Sequence, residues 1–111
     1  MPGRAKGRAK FDFRGRAFVW WVDGDRYLRI SSQDKKFVIA FPLGRKIDTP
    51  PVVEVIGQEF TGLGPTEARP IWLIVPEPSG KSMGAWVDEL LRWCFDPGHS
   101  LIRFNGPVRF C

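Results

Sequence analysis

From Ala17 onward, apolar and polar positions alternate with a period of two. "AFVWWV" (17–22) is β-branched and aromatic, the composition of a strand, and Asp23-Gly24 behind it is a two-residue hairpin signal. "RYLRIS" (26–31) sets Leu28 and Ile30 on one face and Tyr27 and Arg29 on the other. "SQDK" predicts the next turn. "KFVIAF" (36–41) is then a third strand with Phe37, Ile39 and Phe41 on one side, closed by Pro42. "PVVEVIG" (51–57) reads as a fourth strand and "IWLIV" (71–75) as a fifth, well buried. Residues 57–70 hold three Gly and two Pro, which predicts a long surface loop of the kind that carries function. "SLIRF" (100–104) adds a last short strand.

The period then changes. Met83, Trp86, Val87, Leu90, Leu91 and Cys94 fall at offsets 0, 3, 4, 7, 8 and 11, one apolar stripe on a helix over 83–95. Asp88, Glu89 and Arg92 take the opposite side, with Asp88 and Arg92 spaced for an i,i+4 pair, and Asp96-Pro97-Gly98 stops the helix. Five large side chains make this stripe worth roughly 8–15 kcal/mol gross, before ordering entropy is subtracted. The expected fold is therefore α+β: an antiparallel β-meander of four to five strands packed against one amphipathic helix.

Composition fits one folded domain. The chain has 111 residues, 43% hydrophobic and 14% aromatic. It contains no apolar run of membrane-spanning length and no visible secretory signal, so a cytoplasmic protein is expected. Charge changes the picture more. The formal net charge is +5, yet residues 1–16 hold Arg4, Lys6, Arg8, Lys10, Arg14 and Arg16 against Asp12 alone. The remainder holds eleven basic and eleven acidic residues, which cancel. Residues 1–16, with their "GRAKGRAK" repeat, thus read as a basic flexible arm, and residues 17–111 as a neutral α+β domain. Those six bases are the candidate contacts to nucleic acid or another acidic partner.

Three motifs invite chemistry. Gly80-Lys81-Ser82 between a strand and a helix has the setting of a phosphate-binding loop. That loop needs a glycine six positions before its lysine and consecutive backbone N–H groups facing the phosphate. Position 75 is Val, and Pro76 and Pro78 carry no N–H. Ser79 or Ser82 as an N-cap explains the stretch. "CFDPGHS" brings Cys94 near His99, but a cysteine on the apolar stripe behaves as a small buried hydrophobe. Asp23-Gly24-Asp25 is ordinary turn chemistry, and no oxygen cluster of calcium-site size accompanies it. No catalytic residue, metal site or cofactor is assigned. Trp20 and Trp21, adjacent on a strand, point to opposite faces, so one enters the core and the other lies on the far face. Trp20, Tyr27 and Arg29, with Phe60 and Leu63 of the long loop, form the candidate interaction surface.

Residues 37–56, "FVIAFPLGRKIDTPPVVEVI", resemble the third and fourth strands of ubiquitin-conjugating enzymes, where Phe-Pro ends one strand and Pro-Pro starts the next. "IWL" (71–73) falls where that family has Ile-Cys-Leu, and "VDELLRWCFDPG" is similar to its following helix. The resemblance covers roughly residues 17–98 and places Trp72 where the family has its nucleophilic cysteine. The His-Pro-Asn triplet has no counterpart in "GQEFTGLGPTEARP". Without thiolate or oxyanion support no thioester forms, so the resemblance implies an inactive variant or an RWD-type domain that binds other proteins.

The expected function is a non-enzymatic protein-interaction module. The alternative is a small nucleic-acid-associated protein that binds phosphates through its basic residues. Homo-oligomers through an open sheet edge or exposed aromatics are also expected.

Overall fold

The computed structural model describes residues 8–24, 26–44, 48–57, 71–96 and 102–104. Six strands form one antiparallel sheet in chain order: β1 (Ala9–Phe13), β2 (Arg16–Asp23), β3 (Tyr27–Ser32), β4 (Val38–Pro42), β5 (Val52–Val55) and β6 (Ile71–Ile74). One helix, α1 (Met83–Cys94), follows. The α+β meander stands, with six strands in place of four to five.

The additional strand is β1, inside the segment read as a flexible arm. Phe11 and Phe13 alternate with Lys10, Asp12 and Arg14, a strand pattern that the charge surplus obscures. Arg14 (φ 53°) and Gly15 (φ 81°) close the hairpin to β2, both in the left-handed region that a type I′ turn demands. The Gly15 amide donates to the Asp12 carboxylate at 3.0 Å. Register from Ala9↔Trp20 to Phe13↔Arg16 then follows.

Between β3 and β4 the turn is fixed by Ser32. The Phe37 amide donates to its hydroxyl oxygen at 3.1 Å, and that hydroxyl donates to Asp34. The Ser32 hydroxyl, with the Lys36 amide, holds the Asp34 carboxyl below the usual carboxylate range. Past β5, the amides of Ile56 and Gly57 both donate to the Val38 carbonyl, a two-against-one bulge. A Cβ on Gly57 would lie 2.5 Å from the Lys36 carbonyl oxygen, so only glycine fits. Of the expected last strand, residues 102–104 are described. Arg103 makes a bridge to Leu73, and Ile74 and Phe104 donate amide hydrogens across it.

The stripe on α1 packs as its spacing predicts. Val87, Leu90, Leu91 and Cys94 are buried, and Met83 and Trp86 pack against the core beside them. They meet Phe18, Leu28, Ile30, Phe37, Ile39, Phe41, Val53, Val55, Ile71 and Leu73 from one face of the sheet. Phe95, just past the helix, closes the β1 end, with ring centroids 4.9 Å from Phe37 and 6.0 Å from Phe13. Ser82 caps the start by accepting from the Ala85 amide at 3.2 Å, and Asp88 pairs with Arg92 at 2.7 Å. Among the described residues no helix is long and apolar enough to cross a membrane.

Candidate functional site

Strand pairing decides which aromatics share a face. Asp23 pairs with Tyr27, so three residues separate the paired ends, one more than a two-residue hairpin allows. A two-residue turn at Asp23-Gly24 would set Trp20 opposite Tyr27. The longer turn moves the partner of Trp20 three residues along, from Tyr27 to Ile30, and that odd shift exchanges the faces of β2. Trp20 therefore stands opposite Ile30 and packs against the core, on the helix side. Its place in the expected surface is corrected: Trp21, opposite Arg29, lies with Tyr27 and Arg29 on the far face.

That far face carries a row across five strands. Trp21, Arg29, Ala40, Glu54 and Trp72 are successive partners from β2 to β6. Strands lie about 4.8 Å apart, so the two indoles are roughly 19 Å from each other. Ala40 between Arg29 and Glu54 is fully buried, whereas both indoles, Tyr27 and Arg29 keep part of their surface exposed. Arg29 donates to Asp23 at 2.8 Å and stands 5.5 Å over the Tyr27 ring. Burial pushes the Glu54 carboxyl up, and the Arg29 charge offsets part of that effect.

The basic residues divide between two places. Lys10 pairs with Val19, on the same face as Trp21, and the Arg8 guanidinium lies 4.2 Å over the Trp21 ring. Here a hollow of about 430 Å³ is lined by Arg8, Val19, Trp21, Ser31, Ser32, Gln33, Lys35 and Val38. Its charged lining residues, Arg8 and Lys35, are both cations. Arg14 and Arg16 sit at the hairpin instead, 4.8 Å over Phe13 and 5.4 Å over Phe18, and Arg16 pairs with Asp34 at 3.4 Å. Arg4, Lys6, Phe60, Leu63 and His99 lie outside the described residues, as do Asp25 and Cys111.

The two motifs that resembled active chemistry have structural explanations. The amides of Ser79 and Gly80 donate to the Glu89 carboxylate at 3.1 and 2.7 Å, so the N–H groups before Lys81 already hold an anion from the chain itself. Glu89, expected to face solvent, bends back over the loop. Cys94 is fully buried, and that burial pushes its thiol far above the usual range, which removes the thiolate a nucleophile needs. Among the described residues no three His, Cys, Asp or Glu side chains gather as a metal site.

Sequence reasoning missed Trp21, Trp72 and Lys35 as members of one face. The signal for Trp21 was the loop length after Asp23. Lys35 has none at the level of pattern, because its position depends on a turn with φ 63°. No family model matches the chain, and no curated protein or solved structure matches it either.

Proposed function

We propose that this chain is a non-enzymatic binding module whose working surface is the sheet face opposite α1. The observation that carries it is the row from Trp21 to Trp72, which presents two partly exposed indoles with Arg29 and Glu54 between them. Partly exposed aromatics beside an arginine are the side chains that dominate binding energy at macromolecular contacts. A row roughly 19 Å long suits a macromolecule better than a metabolite.

The resemblance to ubiquitin-conjugating enzymes agrees with this reading as that of an inactive relative. β4 ends at Phe41-Pro42, and β5 begins just after Pro50-Pro51. Trp72, at the position of the family's cysteine, lies within β6 and pairs with Glu54.

The test compares what wild-type chain and the Trp21→Ala/Trp72→Ala double variant retain from a cell extract, with circular dichroism confirming that both are folded. Retained protein or nucleic acid should fall sharply in the variant. Equal retention would remove the far face from the function.

A further inference from the structure

We propose that the hollow between Arg8, Trp21 and Lys35 binds single-stranded nucleic acid, with a base stacked on the Trp21 indole and phosphates held by the two cations. This rests on the far face being the working surface and names its ligand.

Charge comes first. The chain's whole basic surplus lies in residues 1–16, and β1 pairing carries the end of that segment onto the far face. Arg8 and Lys10 thereby stand on the same side as Trp21, and Lys35 enters the hollow from the β3–β4 turn. Among the described residues no carboxylate lines it. At about 430 Å³ it falls within the ~300–1,000 Å³ that admits a small planar group.

The floor is specific as well as positive. A guanidinium over an indole marks a flat, electron-rich platform, and every nucleobase offers a π-face to such a platform. The Arg8 side chain moves from ring to phosphate as the base takes its place. Gln33, exposed at the wall, supplies a polar group for base edges. Duplexes are disfavoured because their base faces are already covered by neighbouring pairs.

Lys35 adds an independent sign. Its φ of 63° lies in the region that favours glycine or asparagine. The turn alone gains nothing from a lysine there, and strained positions concentrate at functional sites.

The experiment is fluorescence anisotropy with a labelled oligothymidylate of about twelve nucleotides, a length within the range such platforms occupy. Wild-type chain should bind it more tightly than a duplex of equal length. Arg8→Ala and Lys35→Ala should each flatten the logarithmic salt dependence by about 0.7. Trp21→Ala should weaken binding roughly 5- to 150-fold with the salt slope unchanged, and Trp21→Phe should restore most of it. Lys35→Gly should weaken binding while leaving Tm equal or higher, so loss of fold cannot mimic loss of site. Three results would overturn the proposal: no binding, binding indifferent to Trp21 and Lys35, or equal affinity for a heparin fragment of the same charge. If oligothymidylate fails while capture of protein from extract still depends on Trp21 and Trp72, the face binds protein and only this inference is lost. If capture is independent of both, the functional reading fails with it.

Discussion

The carboxylate of Glu89 accepts the backbone amide of Gly80 at 2.7 Å, across nine residues and back past the start of its own helix. The same carboxylate takes the Ser79 amide, and the Trp86 indole N–H donates to the Gly80 carbonyl at 2.8 Å. Donors that would make this loop a phosphate cradle are thus committed to an internal anion. The loop is a clamp on the helix N-terminus.

Gly80→Ala should destabilise the protein by about 1–3 kcal/mol, because its Cβ would fall 2.4 Å from the Ala85 Cβ and 2.8 Å from Glu89 Oε2. Glu89→Ala should cost about 1 kcal/mol, the net worth of such partly solvated bonds. Lys81→Ala, at an exposed position, should stay within about 0.5 kcal/mol of wild type. Urea unfolding midpoints at constant m-value separate the three. A large loss on Lys81→Ala would contradict the clamp.

Ser32→Ala should cost about 1–2 kcal/mol, since it strips a buried acceptor from the Phe37 amide. It should also let the Asp34 carboxyl rise toward its ordinary range, because the Ser32 hydroxyl is the first cause of its depression. A depressed folded-state carboxylate stabilises above the unfolded value of about 3.9 and loses that contribution as pH falls through the lower folded value. Carboxyl chemical shifts followed by NMR would show an unmoved Asp34 if the turn does not work this way.

What could be read from residues alone was whatever repeats. The α1 stripe and the Leu28/Ile30 and Phe37/Ile39/Phe41 alternations hold at every position because core burial imposes them. β1 escaped because its two phenylalanines sit among bases, and the charge outweighed the period. The far face escaped for a sharper reason: its membership turns on the length and place of the β2–β3 turn, and any odd shift in register reverses a whole strand. Glu89 shows the third limit, a side chain whose partner lies in a loop without any period to follow.

Glu54→Gln should stabilise the fold slightly at neutral pH, the effect being small because solvent screens a half-buried carboxyl. Burial raises the Glu54 carboxyl above its unfolded value, so the folded state binds that proton more tightly. Its contribution is complete below the unfolded value of about 4.3 and is lost as pH rises through the folded one. The advantage of the glutamine should therefore vanish toward pH ~4. Melting curves across that range would refute the buried-carboxylate account if the advantage persists in acid.

Leu90 and Cys94 share the buried stripe one turn apart, which turns the thiol into a reporter of helix docking. Leu90→Ala deletes most of a core side chain and should cost about 2–5 kcal/mol. In a Cys111→Ser background Cys94 is the sole thiol, and iodoacetamide reaches it only when α1 leaves the sheet or the chain unfolds. Where closing outpaces alkylation, the labelling rate follows the population of the open state. The Leu90→Ala protein should then label roughly 25-fold faster or more than its parent, since about 1.4 kcal/mol is tenfold. Native labelling of the parent at the rate of a free thiol would place Cys94 outside the core. The packing of α1 against Phe37, Ile39 and Leu73 would fall with it.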